Sequence, residues 1–149
     1  MNTLLLAALF ACSSTPTAEP TPPPEVAVAP TVIPSERPAP DSDVYKAVVT
    51  AVITKLQPDF PTQLGLNVNS LTTAGDFALL IADPADDKGL RISFEGTPYA
   101  AKGYGTCYAL AKKSGVAWTV IELAINTDDP MLVPGWFDKH GAPQTLLGF

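Results

Sequence analysis

The sequence has little of what nucleic-acid-binding and membrane-spanning proteins need. Only 9 of its 149 residues are Lys or Arg, against 15 Asp or Glu, and the net charge at pH 7 is −6. Phosphate backbones are bound by clustered basic side chains, and the only basic pair is Lys112–Lys113, so a nucleic-acid partner is disfavoured. The N-terminal apolar run, Leu4–Phe10, is far shorter than the roughly 20 residues of a transmembrane helix.

Cysteine and histidine are also scarce. The chain has two cysteines, Cys12 and Cys107, and one histidine, His140. If Cys12 is modified, Cys107 has no intrachain partner, so no disulfide is expected. A Cys107 thiol paired with His140 would be a candidate nucleophile, but nothing in the sequence indicates the positively charged surroundings that a reactive thiolate needs. We therefore interpret Cys107 as a buried strand residue, and we predict no cofactor and no metal site.

The first residues have the pattern of a removable signal. The apolar run is followed by Leu9, Phe10, Ala11 and Cys12, and polar residues begin at Ser13. An aliphatic residue, then a small residue, then cysteine is the pattern of the lipobox, so residues 1–11 resemble the signal peptide of bacterial lipoproteins. The alternative is a secretory signal without lipid, in which the cysteine is incidental.

The resemblance implies a location. In bacterial lipoproteins the cysteine thiol, here that of Cys12, carries diacylglycerol, and the new amino terminus is usually acylated, with palmitate as a common chain. Two or three acyl chains make a durable membrane anchor, whereas one does not. Ser13 stands where an aspartate would favour retention at the inner membrane. The expected location is the cell envelope, at the outer membrane of a Gram-negative bacterium, with the domain outside the cytoplasm.

Residues 12–40 are predicted to comprise the lipidated cysteine, Cys12, followed by a proline-rich tether. Nine of the sixteen prolines lie between Thr15 and Pro40. Such a segment buries too little apolar surface to fold, and it extends by about 3.1 Å per residue. We expect a disordered spacer that holds a domain away from the membrane; a ligand for proline-binding modules is the alternative.

Residues 41–149 are predicted to form one α+β domain. Asp41, Ser42 and Asp43 can cap a helix that ends before Pro58. Four apolar residues recur at four-residue spacing between these limits: Val44, Val48, Val52 and Leu56. Three alternating or apolar runs follow, including Leu90, Ile92 and Phe94, and then a hairpin that turns at Lys113–Gly115. Strict alternation along 116–125 predicts that Glu122 and Val120 share one face of the last strand.

The order of these elements predicts the architecture. It is one N-terminal helix packed on a curved antiparallel sheet of about 4–5 strands, with a short C-terminal helical turn over 135–140. A helix followed by an antiparallel meander resembles the cystatin-like and nuclear-transport-factor-like folds. The resemblance is one of element order alone, so no functional residues follow from it.

Three aromatic residues are the candidate binding residues. Tyr99 and Tyr104 lie in the glycine-containing segment 96–106, and Trp136 lies in the C-terminal turn. Tyrosine offers a broad contact surface at a modest cost in ordering, which suits a binding loop. Ordinary loop packing is the alternative explanation.

Acidic residues offer weaker candidates for chemistry. The loop carboxylates Asp83, Asp86 and Asp87 lack the ligand spacing of a calcium-binding loop, so a solvated turn is favoured. Asp128–Asp129 is more typical of a turn than of paired catalytic carboxylates. Asp138 and His140 fall on different faces of a one-turn helix, which disfavours an acid–base pair.

Two functions remain. The favoured one is a membrane-anchored envelope lipoprotein presenting a small binding or interaction domain, whose partner is an envelope protein, a polymer or a small apolar ligand. The alternative is a cone-shaped hydrolase or isomerase of the nuclear-transport-factor-like type that uses a buried Asp, Glu or His. An enzyme is the less favoured reading because the predicted inward positions are mostly apolar, and the oligomeric state stays open.

Overall fold

The computed structural model describes residues 32–100, 105–125, 127, 129 and 131–148. A compact unit spans Thr31–Phe149, and so begins before the Asp41 boundary that composition predicts. The predicted signal peptide, Cys12 and residues 13–31 of the predicted tether lie outside the described residues.

The predicted N-terminal helix is present as α1, Asp43–Leu56. The Ser42 side chain caps it by accepting a hydrogen bond of 3.2 Å from the Tyr45 N–H. Val48, Val52 and Leu56 are buried along one side of α1. A 3-10 helix, Gln57–Asp59, follows at once and contains Pro58, which cannot continue an α-helix.

Four antiparallel strands form one sheet in the order β1-β2-β3-β4. They are β1 Gly65–Ala74, β2 Phe77–Ala85, β3 Cys107–Ser114 and β4 Ala117–Ile125. Sequential neighbours pair throughout: two-residue turns join β1 to β2 and β3 to β4, and residues 86–106 lie between β2 and β3. The α+β class and the antiparallel meander are confirmed, and the described sheet has four strands.

The alternating run Leu90, Ile92 and Phe94 was expected to be a strand, and this prediction is wrong. In that segment only Arg91 forms a bridge, to Ala85. Asp86 N–H donates to the Leu90 carbonyl at 2.8 Å, so the chain makes a tight turn instead of a ladder. Ile92 and Phe94 are loop residues that pack against a buried cluster, so their apolar side chains are partly removed from water without forming a strand.

Buried apolar clusters lie on both faces of the sheet. The first cluster contains buried residues of α1, such as Val48, and of β2 and β3, among them Leu80, Cys107 and Ala109. The second combines Leu79 and Leu110, on the opposite face, with residues of the C-terminal segment. Successive strand residues point to opposite faces, and in β2 and β3 both sets are apolar, so these central strands are covered twice.

A β-bulge breaks the predicted alternation of β4. The register shifts so that Leu110 faces Glu122 while the next residue, Ala111, faces Val120, which leaves Ile121 as the extra residue. Val120 therefore packs in the first cluster, whereas Glu122 lies across from Leu110 on the other face. The prediction that Val120 and Glu122 share a face is wrong because a bulge shifts all later residues by one position.

The predicted C-terminal turn is a longer helix, α2, Leu132–His140, followed by a 3-10 helix, Gln144–Leu147. It starts before 135 because Pro134 fits the first turn of a helix, where its missing N–H has no intrahelical partner. Gly141 ends α2 at φ 66°, a left-handed conformation that favours glycine. Among the described helices, none has the length and apolar character that crossing a bilayer requires.

Candidate functional site

A groove of about 500 Å³ opens between the segment that precedes β1 and the loop that follows β2. We call it the acidic groove. Its lining residues are Phe60, Pro61, Thr62, Gln63, Asp86, Asp87, Ile92, Ser93 and Glu95.

The Gln57 side chain fixes one wall of the acidic groove. Its amide nitrogen donates to the Thr62 carbonyl at 2.9 Å, and its amide oxygen accepts from the Leu64 N–H at 2.9 Å. These two bonds span the turn from α1 into β1. They hold the wall residues 60–63 in one shape through a side chain that is itself half-buried.

Asp86 organises the opposite wall. One carboxylate oxygen, Oδ1, accepts hydrogen bonds from the N–H groups of Lys88, at 2.9 Å, and Leu90, at 2.7 Å. The Asp86 carbonyl approaches β1 so closely that a Cβ on Gly65 would lie 2.7 Å from its oxygen. Glycine at position 65 therefore permits the close approach of the loop to the sheet.

Aromatic rings pack on Phe60, which lines the groove. Phe60 is buried and contacts Phe94 edge-to-face, with ring centroids 5.9 Å apart, and stacks on Tyr99 at 6.0 Å. The Tyr99 hydroxyl donates to Asp59 Oδ2 at 2.6 Å. Burial, and then this hydrogen bond, raise the pKa of Tyr99 to about 12, so the phenol stays protonated at neutral pH. Phe60 and Ile92 thus make part of the groove lining apolar, and we call Phe60 with the two rings packed on it the aromatic base of the groove.

The rim of the groove carries two carboxylates that the fold does not use. Asp87 and Glu95 are exposed, and neither carboxylate has a hydrogen bond or ion pair to a described residue. Lys88 and Arg91 belong to the same loop but do not line the groove, and Arg91 lies 3.8 Å from Asp83. An aromatic base below two unpaired carboxylates is suited to a ligand with both apolar and cationic parts.

The structure separates the three predicted binding residues. Tyr99 does not line the acidic groove but stacks on Phe60, which does, in the first cluster. Trp136 is buried in the second cluster, on the opposite face of the sheet, with 7% of its surface exposed. Tyr104 lies outside the described residues. Tyr99 is therefore beside the candidate site, while Trp136 is a core residue.

Cys107 and His140 are not brought together. Cys107 is fully buried in the first cluster, and burial raises the pKa of its thiol to about 12. His140 lies at the end of α2, against the other face, where it contacts Glu122. A protonated, inaccessible thiol without a base is a packing residue rather than a nucleophile.

Glu122, Lys139 and His140 form a polar cluster that the bulge in β4 makes possible. Glu122 Oε1 accepts from Lys139 Nζ and lies 2.7 Å from His140 Nε2. The Glu122 and His140 side chains are 19% and 25% exposed. The hydrogen bonds from Lys139 and His140 hold the pKa of Glu122 below its ordinary range. The cluster joins the C-terminal end of α2 to β4.

Replacing Glu122 with glutamine should lower the free energy of unfolding by about 0.5–1 kcal/mol at pH 7, because the ion pair with the exposed Lys139 is lost. A carboxylate whose pKa is lowered by folding stabilises the protein above its unfolded pKa of about 4.3. That contribution disappears as the pH falls through the folded pKa. The gap between wild type and Glu122→Gln in urea unfolding should therefore close below about pH 4. Glu95→Gln, at an exposed carboxylate, is the control, and an equal loss there would contradict this account.

The carboxylates of Asp83, Asp86 and Asp87 do not form a metal site. Asp86 Oδ1 serves the loop amides, and Asp83 accepts from the Thr106 hydroxyl at 3.0 Å. Across the described part of the chain, no three His, Cys, Asp or Glu side chains come close enough to hold a metal ion. Asp129 Oδ1 accepts from the Met131 N–H at 2.9 Å, as a turn residue does, and Asp128 lies outside the described residues.

Sequence reasoning missed an important part of the groove, Phe60. It stands between Pro58 and Pro61, in a connection without periodicity. Comparison with protein families, with curated proteins and with solved structures gives no match for this chain.

Proposed function

We propose that this chain is a lipoprotein, held at the outer membrane of a Gram-negative envelope by lipid on Cys12, and that its folded unit binds a cationic partner in the acidic groove. The anchor rests on the lipobox-like pattern at 9–12. The binding role rests on one observation, the two unpaired rim carboxylates of Asp87 and Glu95 above an aromatic base.

The chemistry of the groove narrows the class of partner. Its lining contains three acidic residues and no Lys or Arg, so it attracts cations and repels anions. A volume of about 500 Å³ accommodates a few side chains rather than a whole domain. A lysine- or arginine-bearing segment of an envelope protein fits both features, because its methylene stems can cover apolar surface while its charges reach the rim.

Binding of fluorescently labelled octalysine to the full chain tests the groove. We expect an affinity that falls steeply with salt, because the attraction is between exposed charges. The double variant Asp87→Asn/Glu95→Gln should bind about tenfold more weakly, which corresponds to about 1.4 kcal/mol. Fluorescence anisotropy at two salt concentrations measures both effects.

A matched control separates the groove from the overall charge. Asp76→Asn/Asp138→Asn removes the same number of charges at exposed positions that do not line the groove. This control should bind octalysine within about twofold of the wild type, since distant exposed charges are screened. Equal weakening in the two double variants would show that only net charge matters, and would refute the groove as the site.

The finer description of the fold is also part of this proposal. We infer that the sheet curves around α1, as in the cystatin-like and nuclear-transport-factor-like folds. The support is that one buried cluster joins Val52 of α1 to Leu71 of β1 and Ile125 of β4, which are edge strands of the sheet. A flat sheet brings its two edges less readily to one helix.

Catalysis is the second candidate function, and one observation favours it. A carboxylate hydrogen-bonded to an imidazole, as Glu122 is to His140 at 2.7 Å, is the arrangement that orients a histidine general base. The pair does not line the acidic groove. A hydrolase or isomerase activity lost in both Glu122→Gln and His140→Ala, and kept in Asp87→Asn, would support this alternative.

A further inference from the structure

The outer edge of β1 already holds an extended segment of the chain itself. We call residues Ile33–Pro38 the N-terminal strap. Glu36 pairs antiparallel with Thr73: the Glu36 N–H donates to the Thr73 carbonyl at 2.7 Å, and the Thr73 N–H donates back at 2.8 Å. Thr145 adds a hydroxyl bond of 2.8 Å to the Ile33 carbonyl.

Two prolines confine this pairing to a single residue pair. In an antiparallel ladder the next hydrogen-bonded pairs lie two residues away on either side, which places Pro34 opposite Gly75 and Pro38 opposite Leu71. Proline has no N–H to donate. The strap therefore lacks a donor in both neighbouring pairs, and its backbone pairing to β1 consists of the two bonds at Thr73.

The pairing leaves polar backbone groups of Leu71 unmatched. Alternate residues of a strand direct their N–H and C=O groups to the same neighbour, so those of Leu71 face outwards like those of Thr73. Leu71 is 5% exposed, and no described residue bonds to these outward groups. The outward N–H and C=O of Leu71 contribute nothing to holding the strap, and two hydrogen bonds offset little of the entropy lost in ordering it.

We propose that the outer edge of β1 at Leu71–Thr73 is a binding site for an extended segment of a partner protein, which displaces the strap. A segment with an ordinary residue opposite Leu71 would keep the two bonds at Thr73 and add two at Leu71. This is strand addition to a sheet edge, in which main-chain hydrogen bonds supply the affinity.

A second copy of this chain fits the edge less well than a partner segment. Its own β1 edge is covered by its own strap, so pairing two β1 strands must displace both straps. If the strap of the second copy took the place of the first, it would present the same proline opposite Leu71 and would add no donor to the Leu71 carbonyl. The partner is therefore a polypeptide with an extended stretch that lacks proline at the position opposite Leu71.

Two synthetic peptides test the site on the full chain. One has the sequence of residues 31–40, and the other has valine in place of Pro34 and Pro38. We expect the valine peptide to bind and to slow hydrogen exchange of the Leu71 amide at least about tenfold, because the valine opposite Leu71 can donate to the Leu71 carbonyl, and closing that bond brings the valine carbonyl to the Leu71 N–H. The parent peptide should not protect Leu71. Failure of the valine peptide to bind, or protection confined to other strands, would overturn the proposal.

Two chain variants should shift the affinity in opposite directions. Glu36→Pro removes the strap's donor to Thr73 and should tighten binding of the valine peptide by about five- to tenfold. Pro38→Val lets residue 38 exchange both ladder bonds with Leu71, so it should weaken peptide binding, and the carbonyl of residue 38 should then protect the Leu71 amide without peptide. If Glu36→Pro does not fold, Pro38→Val still tests the proposal. An unchanged affinity for the valine peptide together with unchanged exchange of the Leu71 amide in Pro38→Val would contradict the proposal. A Glu36→Pro dimer that protects Leu71 without peptide would make a second copy the occupant and refute the partner segment.

Discussion

Replacing Phe137 with alanine is expected to lower the free energy of unfolding by about 3–5 kcal/mol, a large part of the stability of a small domain. Phe137 is 1% exposed and is the largest of the fully buried side chains. It lies on α2 in the second cluster, so it fixes the C-terminal segment to the sheet. A helix of nine residues is not stable alone, and removing its main anchor should release the cluster that covers this face.

Urea unfolding monitored by circular dichroism measures this loss. Met131→Ala is the control, because Met131 immediately precedes α2 and is 68% exposed. That substitution should change the free energy of unfolding by less than about 0.5 kcal/mol. A loss below about 1 kcal/mol in Phe137→Ala would mean that α2 does not pack on the sheet as described.

Replacing Cys12 with serine is expected to move nearly all of the protein from the membrane fraction to the soluble fraction. A serine hydroxyl does not take the thioether-linked lipid, and each buried methylene of an acyl chain contributes about 0.8 kcal/mol to membrane binding. With two or three chains the wild type should stay bound through repeated washing. Cys107→Ser is the control, since that buried side chain serves packing and should leave the location unchanged.

Local signals in the sequence predicted the elements that depend on neighbouring residues. The cap at Ser42 and the stop at Pro58 indicated the limits of α1. The turn predicted at Lys113–Gly115 indicated the last hairpin, whose turn lies at Gly115–Val116 because β3 extends to Ser114. These signals act over a few residues, so a sequence window contains them. The strand predicted over residues 90–94 was wrong although its alternation is present in the sequence. Hydrogen bonds between Asp86 and Leu90 close a turn there, so the segment does not pair in the sheet.

Other features depend on contacts between distant residues and could not be predicted in this way. The bulge at Ile121 has no local marker, yet it places Glu122 against α2, where it meets His140. The acidic groove joins residues 60–63 to 86–95, and its aromatic base requires Tyr99 to stack on Phe60. Residues of α2 and the C-terminal segment form the second cluster with residues of β2 and β3. An apolar run indicates that a strand is buried on both faces, but it does not indicate which elements cover those faces.

The intact mass of the protein recovered from bacterial membranes tests the central proposal, a lipid-anchored binding unit, most directly. The account predicts a mature chain that begins at Cys12 and carries the added mass of diacylglycerol and an amide-linked acyl chain. The Cys12→Ser form should show no such addition. An unmodified chain that retains Met1 and is recovered in the soluble fraction would contradict the anchor, and would leave the acidic groove without its proposed envelope partner.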